Sequence, residues 1–426
     1  MGELVIHRTE QLKGSVEAPP SKSYTHRAVI ASSLADGVSK IVNPLVSDDT
    51  MATVKACKEF GAQIELNKNK WIIRGLSKIK TPSEIINCKD SASTLRFIIP
   101  IAALAPGITI LTGEESLKKR PIGPLLDALT RIGVKCFSAA GYPPILVYGG
   151  GINGGETQMV GNISSQFISG LLFACPLARR KTKLKLTTKL ESKPYVKMTV
   201  ETLKKHGILV KVSKDMQSYI IPANQHYKSA DHTVSGDYSA ASFILAAAAI
   251  TGSTVTVKGL HTNSNQGDEA IIGILRSMGA KFEVGRDYVK VSSGQLKGIN
   301  IDASDIPDLV PVCAAIACYA NGTTRIFNAG RLKLKESDRL ANIPMELKKM
   351  GAKISEQKDS LIISGPSKLH GAKIDPHNDH RIAMACAVAA LKAEGVTKVK
   401  RIEAVNKSYP DFISDMRKLG AAYNVR

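Results

Sequence analysis

Cations recur along this 426-residue chain beside short polar blocks, and each block runs directly into an apolar stretch. A cation at the start of a buried helix stands beside the positive end of the helix dipole, an arrangement that is costly unless an anion also binds there. Helix N-termini and guanidinium groups together bind phosphate and carboxylate. We therefore predict a site for small, multiply anionic substrates. The cations in question are Lys22, Arg27, Arg96, Arg120, Lys335, Arg339, Arg381 and Lys407.

Two carboxylates stand out among these cations. Asp308 lies in an Ile-Pro-Asp block, and Glu336 lies in a Lys-Glu-Ser-Asp-Arg block. Proton transfer needs a carboxyl or similar group held against the reacting atoms, so both residues are candidates for general acid–base catalysis. A purely structural interpretation is equally open: Asp308 as a helix N-cap, and Glu336 as the partner of a nearby Lys or Arg in an ion pair.

The elements that hold these residues are indicated by the apolar stretches after the polar blocks. A helix that is apolar on all sides is buried, so each stretch predicts a buried helix. For a single serine in a block, capping of the helix is the favoured interpretation, because Ser, Thr, Asp and Asn are the preferred N-caps. The blocks are residues 21–27, 90–96, 164–166, 236–239, 306–308 and 378–381, and the stretches are residues 28–35, 97–104, 167–177, 243–250, 312–320 and 382–391.

A short tag recurs at intervals of 69 to 74 residues, with an apolar residue or histidine before a glycine and a small or aliphatic residue after it. Each tag follows an amphipathic stretch, so we interpret the glycine as a helix C-cap that leads into a strand. We predict six repeats of buried helix, strand, amphipathic helix and further strands, in two halves of three, with the change of half near residues 226–233. The glycines are Gly61, Gly133, Gly207, Gly279, Gly351 and Gly420.

The composition limits the function classes. The chain has 58 Lys and Arg against 37 Asp and Glu, a net charge of +21 that fits nucleic acid, an anionic membrane or small anionic substrates. Aromatic residues make up only 5%, which argues against a stacking platform for single-stranded nucleic acid. The N-terminal residues show no secretory signal, and no apolar run reaches the roughly 20 residues that span a bilayer. We expect a cytoplasmic protein without membrane or nucleic-acid partners.

Motifs for a metal or a nucleotide cofactor are absent from the sequence. The seven cysteines are irregularly spaced and form no Cys-x-x-Cys pair, so we expect reduced core thiols. His377 and His380 lack the partners of a metal site, and a core or hydrogen-bonding role is favoured for them. The run Gly149-Gly150-Gly151 is interpreted as a turn rather than a dinucleotide fingerprint. We expect neither a cofactor nor a metal.

Several motifs together resemble those of the EPSP synthases, a family of enolpyruvyl transferases. The resemblance covers the whole chain, and the motifs occur in the family's order and at its spacing. They are Pro20-Ser21-Lys22-Ser23 with Arg27, Leu111-Thr112-Gly113-Glu114, Arg120-Pro121-Ile122-Gly123, Ser164-Ser165-Gln166-Phe167, Ser192-Lys193-Pro194-Tyr195, Lys335-Glu336-Ser337-Asp338-Arg339, Asn378-Asp379-His380-Arg381 and Lys407-Ser408-Tyr409-Pro410-Asp411.

The resemblance implies an α/β fold of two lobes, each with three βαβαββ-type pseudo-repeats. Their buried parallel helices direct their N-termini toward the cleft between the lobes, and the N-terminal strand belongs with the C-terminal lobe. We therefore expect residues 1–14 and 233–426 to form one lobe and residues 15–232 the other. The crossovers are expected near residues 14–20 and 228–236, in a monomeric protein.

The resemblance also implies a reaction: transfer of the enolpyruvyl group of phosphoenolpyruvate to the 5-hydroxyl of shikimate 3-phosphate, with release of phosphate after a tetrahedral intermediate. Asp308 would accept the hydroxyl proton, and Glu336 or Lys22 would handle the proton at the methylene carbon. The residues implied to bind shikimate 3-phosphate are Lys22, Ser23, Arg27, Ser164, Ser165, Gln166, Ser192, Tyr195, Asp308 and Lys335. Those implied to bind phosphoenolpyruvate are Lys22, Ala92, Arg96, Arg120, Gln166, Arg339, Arg381 and Lys407.

Two positions depart from the family pattern. Ala92 stands where the family's Asn-x-Gly-Thr block has glycine, and its methyl group is expected to narrow the phosphoenolpyruvate pocket and to weaken inhibition by the phosphonate glyphosate. Arg331 stands where an asparagine is common, which leaves the substrate contact of that position open.

Two alternative functions fit the sequence less well. The sister enzyme that transfers enolpyruvyl to UDP-N-acetylglucosamine carries a reactive cysteine on the loop that matches residues 114–120, and this loop has none. An RNA-processing protein of related repeat fold would fit the positive charge. The low aromatic content and the lack of a nucleotidylated-histidine motif weigh against it.

Overall fold

The computed structural model describes residues 2–76, 78–262, 264–292 and 294–426. The chain divides into two compact units. One consists of Met1–Pro19 and Ser235–Arg426, and we call it the split unit; the other is Pro20–Val234, the continuous unit. Each unit has an apolar core of its own.

Buried and amphipathic helices alternate along both units. Shorter 3₁₀ segments lie at Cys175–Leu177, Gly267–Glu269, Pro307–Leu309, Gly330–Leu334 and Ile402–Lys407. The described α-helices are α1 (Lys22–Ser33), α2 (Asp48–Glu59), α3 (Ala92–Ala102), α4 (Glu115–Lys118), α5 (Gly123–Arg131), α6 (Ser165–Ala174), α7 (Lys193–Lys205), α8 (Tyr238–Thr251), α9 (Ala270–Ser277), α10 (Val310–Ala317), α11 (Arg339–Lys349), α12 (His380–Ala390) and α13 (Phe412–Lys418).

The six predicted buried helices are confirmed as α1, α3, α6, α8, α10 and α12. In α8, for example, every side chain from Tyr238 to Ile250 is buried. All six begin earlier than the apolar stretches, and in five of them the polar blocks form the first turns. The cations of those blocks therefore lie on the helices rather than before them, with Lys22 as the first residue of α1 and Arg381 as the second of α12.

The strands are short, and most lie between a buried and an amphipathic helix or after the latter. They are β1 (Glu3–His7), β2 (Lys13–Glu17), β3 (Val38–Val42), β4 (Gln63–Asn67), β5 (Lys70–Arg74), β6 (Ile86–Asn87), β7 (Ile108–Thr112), β8 (Lys135–Ala139), β9 (Tyr142–Tyr148), β10 (Gly155–Met159), β11 (Thr182–Leu186), β12 (Lys211–Val212), β13 (Ser218–Ile221), β14 (His232–Thr233), β15 (Thr254–Lys258), β16 (Lys281–Val284), β17 (Tyr288–Ser292), β18 (Asn300–Asp302), β19 (Gly322–Phe327), β20 (Lys353–Glu356), β21 (Leu361–Gly365), β22 (Lys373–Ile374), β23 (Val396–Lys400) and β24 (Tyr423–Val425).

The described strands form six four-stranded sheets, three in each unit. Parallel neighbours such as β6–β7 and β10–β11 are joined by a buried helix, which supplies the crossover that parallel strands require. Hairpins such as β8–β9 add the antiparallel strands. Three sheets include a strand from a distant part of the sequence. β14 pairs with β3, β2 pairs with β15, and β1 pairs with both β23 and β24. Since β2 belongs to the split unit, that unit runs past the expected boundary at residue 14 to Pro19.

The glycine tags end helices, as the repeat predicted. All six tagged glycines have φ between +75° and +108°, the left-handed region that glycine adopts without steric cost. The N–H of Gly61, for instance, donates to the carbonyl oxygen of Lys58 in the last turn of α2. A side chain at these positions would strain the backbone, so the tag recurs wherever an amphipathic helix turns back into a sheet.

The seven cysteines are free thiols, and all but the half-buried Cys136 are buried. Burial raises the pKa of Cys57 and of Cys313 to about 12. A thiol with so high a pKa stays protonated at neutral pH and is a poor nucleophile, as expected for core residues.

Buried histidines make the continuous unit sensitive to acid. The ring of His26 hydrogen-bonds through Nδ1 to Oγ1 of Thr53 at 2.6 Å, and Nε2 of His206 lies 2.8 Å from Nε2 of His232. Burial lowers the pKa of His26 to about 3, and burial together with the charge of His206 lowers that of His232 to about 3. The unfolded chain protonates these rings near pH 6.5, whereas the folded unit keeps them neutral, so stability falls as the pH drops below 6.5.

We expect the free energy of unfolding of this unit to be lower at pH 5 than at pH 7, by about 2 kcal/mol for each such histidine. Trp71 is the chain's single tryptophan and is buried in this unit, so its fluorescence in urea reports the unit's unfolding. His26→Asn should shrink the acid loss by about 2 kcal/mol. The matched control is the exposed His226→Asn, which should leave the loss unchanged; equal losses in both variants would contradict the prediction.

Candidate active site

Serine hydroxyls cap the buried helices of the continuous unit. Those of Ser21, Ser91 and Ser164 accept hydrogen bonds from backbone N–H groups in the first turns of α1, α3 and α6. The capping interpretation of the serines in the polar blocks is therefore confirmed for these three, and a substrate contact of Ser164 stays a prediction.

Arg96 joins α3 to α6. Its Nη1 donates to Oε1 of Gln166 at 2.9 Å and to Oγ of Ser164 at 3.2 Å. The Nε2 of Gln166 in turn donates to Oγ of Ser93 at 2.8 Å. Three predicted substrate-binding residues thus form one hydrogen-bonded cluster where two buried helices begin.

A second cluster surrounds Arg27, whose side chain is buried. Its Nε donates to Oγ1 of Thr199 at 2.8 Å, and its two terminal nitrogens donate to the carbonyl oxygens of Ser23 at 2.9 Å and Tyr195 at 2.8 Å. Burial lowers the pKa of Arg27 to about 10, so the side chain stays charged at neutral pH. Ser192, which precedes α7, has a φ of +55°, a left-handed conformation that non-glycine residues adopt at a cost.

Lys22 forms an ion pair that the sequence did not predict. Its Nζ lies 2.9 Å from Oδ2 of Asp49, a buried residue in the first turn of α2. Two of the remaining predicted residues of this unit lie at helix starts, since Ala92 begins α3 and Ser165 begins α6. Arg120 is buried in the segment between α4 and α5.

In the split unit, three cations surround one carboxylate. Asp308 lies in the 3₁₀ segment Pro307–Leu309, directly before α10. Its Oδ1 accepts from Nη1 of Arg339 at 2.9 Å and from Nζ of Lys335 at 3.3 Å, and its Oδ2 accepts from Nη2 of Arg381 at 3.3 Å. The N-cap of that segment is Ile306, and the N-cap of α10 is Leu309. Asp308 is therefore the centre of an ion-pair cluster rather than a helix cap.

The cluster shifts the pKa values of its members. Burial acts to raise the pKa of Asp308, but the charges of Arg381, Lys335 and Arg339 outweigh it and hold that pKa well below its usual range. Burial lowers the pKa of Lys335 to about 8, with Arg331 adding to the effect and Asp308 opposing it. Asp308 is accordingly ionised at neutral pH, and Lys335 is close enough to neutrality to change its charge in that range.

Arg339 is fully buried among three carboxylates. Its Nε lies 2.7 Å from Oδ2 of Asp379, and its Nη2 lies 2.7 Å from Oε2 of Glu336; its bond to Asp308 completes the set. Burial acts to lower the pKa of Arg339, but the charges of Asp379, Glu336 and Asp308 raise it above its ordinary value. The ion-pair interpretation of Glu336 is thus confirmed, and its catalytic role stays a prediction.

Three further residues singled out in the sequence have defined places. Arg331 donates from Nη2 to the carbonyl oxygen of Ser304 at 2.6 Å, and Lys407 is buried at the end of a 3₁₀ segment. His377 hydrogen-bonds through Nε2 to Oε1 of the buried Glu346 at 3.0 Å, which is the hydrogen-bonding role expected for it.

The structure brings several of the predicted residues together in clusters, around Arg96 and Arg27 in the continuous unit and around Asp308 in the split unit, and adds buried partners to two of the cations. Asp49 and Asp379 pair with Lys22 and Arg339, respectively, and neither was among the predicted site residues. Asp379 lay within a motif singled out in the sequence, so a rule that buried cations need carboxylate partners would have selected it. No comparable sequence signal marked Asp49.

Among the residues the structure describes, His, Cys, Asp and Glu side chains form no group of three or more that could hold a metal ion. Within the same residues, every helix is too short or too polar to cross a bilayer.

Comparison with known proteins identifies the proteins that this chain resembles. The sequence model of the family described as EPSP synthase (3-phosphoshikimate 1-carboxyvinyltransferase) matches residues 6–416. A 3-phosphoshikimate 1-carboxyvinyltransferase of Methanocaldococcus jannaschii is 47% identical over 99% of both chains, and one of Methanocella arvoryzae is 46% identical over 97% of both. The solved structure of EPSP synthase from Acinetobacter baumannii superposes with a TM-score of 0.84 at 26% identity and covers both chains completely.

Proposed function

This chain belongs to the EPSP synthase (3-phosphoshikimate 1-carboxyvinyltransferase) family, and we propose that Asp308 is the general base of the reaction it catalyses. The enzyme transfers the enolpyruvyl group of phosphoenolpyruvate to the 5-hydroxyl of shikimate 3-phosphate and releases inorganic phosphate, a step of the shikimate pathway. The assignment of Asp308 rests on one observation. Its carboxylate is 19% exposed and forms ion pairs with three cations, which keep it ionised.

The cations around Asp308 explain how so weak a base can act. In the free protein they stabilise its negative charge and keep its pKa low. Phosphoenolpyruvate carries a phosphate and a carboxylate, and we assign Arg339 and Arg381 to their binding. When these anions bind, they share the guanidinium groups with Asp308 and weaken its stabilisation. Substrate binding therefore raises the basicity of Asp308 at the moment when the hydroxyl must lose its proton.

The proton at the methylene carbon needs both a donor and an acceptor. The hydroxyl oxygen adds to C2 of phosphoenolpyruvate while C3 gains a proton, and elimination then removes a C3 proton as phosphate departs. Lys22 is an ammonium and can donate, whereas Glu336 is a carboxylate in an ion pair with Arg339 and can accept. We therefore assign Lys22 to the addition step and Glu336 to the elimination step.

The remaining assignments are proposals of the same kind. Positions in the clusters around Arg27 and Arg96 would hold shikimate 3-phosphate and phosphoenolpyruvate, because buried helix starts and guanidinium groups suit phosphate and carboxylate. The residues assigned to shikimate 3-phosphate are Lys22, Ser23, Arg27, Ser164, Ser165, Gln166, Ser192, Tyr195, Asp308 and Lys335. Those assigned to phosphoenolpyruvate are Lys22, Ala92, Arg96, Arg120, Gln166, Arg339, Arg381 and Lys407.

The assay that tests the function mixes the protein with shikimate 3-phosphate and phosphoenolpyruvate and measures inorganic phosphate. We expect stoichiometric release of phosphate with formation of the enolpyruvyl product. UDP-N-acetylglucosamine in place of shikimate 3-phosphate is the control acceptor and should release none. Turnover with the control acceptor alone would assign the chain to the sister reaction, which the family match does not favour.

The methyl group of Ala92 is expected to weaken inhibition of the enzyme by glyphosate. It is the buried first residue of α3, and a methyl group added to a filled pocket costs about 1–3 kcal/mol of binding. Ala92→Gly should therefore lower the inhibition constant of glyphosate about fivefold or more. The measurement compares both enzymes at equal saturation with phosphoenolpyruvate. Equal inhibition constants, with matched phosphoenolpyruvate kinetics, would contradict the role of the methyl group.

We also propose that the enzyme acts as a cytoplasmic monomer, and that its lobes are the split and continuous units, with crossovers near residues 14–20 and 228–236. Light scattering of the purified protein tests the monomer, which predicts the 45.6 kDa mass of one chain.

A further inference from the structure

A buried carboxylate of the split unit is not used by the reaction described above. Asp268 lies in the 3₁₀ segment Gly267–Glu269, directly before α9, and its side chain is buried. Burial of an ionised carboxylate is costly unless hydrogen bonds or opposite charges compensate for it. Asp268 has both, because it accepts a hydrogen bond from the hydroxyl of Ser239 and faces the guanidinium of Arg381.

Ser239 connects Asp268 to the proposed base. Its Oγ accepts a hydrogen bond from Nη1 of Arg381 at 2.6 Å. A serine hydroxyl has one hydrogen to donate, and here it goes to Asp268, which leaves the oxygen lone pairs for Arg381. The other terminal nitrogen of Arg381 donates to Oδ2 of Asp308 at 3.3 Å, and Nη1 also reaches the Asp308 carbonyl oxygen at 3.3 Å. A continuous chain of polar contacts therefore runs from Asp268 through Ser239 and Arg381 to Asp308.

The charged and titratable groups that face Asp268 come from four other elements. Arg381 lies on α12, Asp308 on the 3₁₀ segment before α10, Asp237 at the start of α8, and Cys313 on α10. Burial raises the pKa of Asp268 to about 6, and the negative charge of Asp308 adds to this, while Arg381 and the bond from Ser239 oppose it. Asp268 thus gains or loses its charge near neutral pH, whereas Asp308 stays ionised throughout that range.

We propose that Asp268 is a positioning residue for the transfer, which acts through Ser239 to hold Arg381 and is required in its ionised form. Protonated Asp268 no longer attracts the guanidinium, so Arg381 interacts more strongly with Asp308 and makes that carboxylate a poorer base. Ionised Asp268 shares the guanidinium and leaves Asp308 more reactive. The inference rests on the proposed role of Asp308 as the base.

The test compares kcat/KM of the wild-type enzyme and Asp268→Asn from pH 5 to pH 8. Asparagine has nearly the shape of aspartic acid and is neutral at every pH, so the variant imitates protonated Asp268 permanently. We expect the wild-type enzyme to exceed the variant about tenfold at pH 8 and to equal it at pH 5. Phosphate groups of the substrates also titrate near pH 6, but they affect both enzymes alike and cancel in the ratio.

Two further variants complete the experiment. Glu283→Gln removes an exposed carboxylate of the same unit, on β16, and should match the wild-type profile throughout. Ser239→Ala breaks the connection but keeps Asp268, and should show the same loss at pH 8. If circular dichroism shows that Asp268→Asn does not fold, Ser239→Ala is compared with the wild-type enzyme in its place.

A ratio of wild type to Asp268→Asn that is constant from pH 5 to pH 8 would overturn the proposal, because a merely structural defect does not follow the ionisation of Asp268. Wild-type behaviour of Ser239→Ala would overturn it as well. Failure of the proposed base is a separate result, since Asp308→Asn would then retain turnover at pH 8. If Asp308→Asn is inactive and the ratio of wild type to Asp268→Asn is constant across pH, the role of Asp268 is rejected and the role of Asp308 stands.

Discussion

Asp308→Asn is expected to lower kcat about a thousandfold while the protein keeps its fold, because asparagine cannot accept the proton of the attacking hydroxyl. The affinity for phosphoenolpyruvate should not fall in parallel. The variant leaves Arg339, Lys335 and Arg381 without the carboxylate that competes with the substrate's anionic groups. We therefore expect an unchanged or lower KM for phosphoenolpyruvate together with the large loss in kcat.

Phosphate release under single-turnover and steady-state conditions measures both quantities. The matched control is Asp287→Asn, which removes an exposed carboxylate of the same unit and should retain wild-type kinetics. A kcat of Asp308→Asn within tenfold of the wild-type value would reject Asp308 as the base. A large rise in KM at constant kcat would instead make Asp308 a binding residue, since it would show loss of ground-state binding without loss of chemistry.

Arg339→Met is expected to lower the free energy of unfolding of the split unit by about 3–5 kcal/mol, the cost of removing one partner from a buried ion pair. The reason is Asp379, whose side chain is 0% exposed and accepts from two nitrogens of Arg339. Without the guanidinium, a fully buried carboxylate loses its compensating charge. Glu336 and Asp308 lose a partner in the same substitution.

Trp71 lies in the other unit, so its fluorescence does not report this loss. Urea unfolding is therefore followed by circular dichroism. Arg325→Met is the control, since Arg325 is exposed on β19 and should cost little. Adding Asp379→Asn to Arg339→Met should recover part of the stability by removing the uncompensated charge. A loss below about 1 kcal/mol in Arg339→Met, or no recovery in the double variant, would show that the ion pair does not stabilise this unit.

Local features of the fold could be predicted from the sequence because their causes act over a few residues. A glycine with a left-handed φ ends a helix within one turn, and so the tags at Gly61 and Gly133 located helix ends without knowledge of the rest of the fold. Helix caps are equally local, as Ser21 and Ser91 show. The helix starts were placed too late because apolar stretches mark where a helix is buried, whereas the first turn carries the polar residues that cap it.

The partners of the predicted site residues could not be predicted in this way. Asp49 lies 27 positions from Lys22, and Asp379 lies 40 positions from Arg339. Lys22 and Asp49 lie on two helices of one repeat, and Arg339 and Asp379 lie in neighbouring repeats. Both pairings depend on how helices pack, and sequence spacing carries no signal of it. Asp268 was missed for the same reason, since its link through Ser239, in its own repeat, reaches Arg381 two repeats further along the chain.

The sequence by itself determined the six-fold repeat, the buried helices and the residue types that mark an anion-binding enzyme, because periodicity, capping and charge are properties of short segments. Only the tertiary structure decided which charges neutralise one another. Asp308 is a candidate base in the sequence, but it acquires its low pKa from Lys335, Arg339 and Arg381, which packing brings within 3.3 Å of it. Electrostatic interactions depend on distance in space and on burial, and both are set by packing.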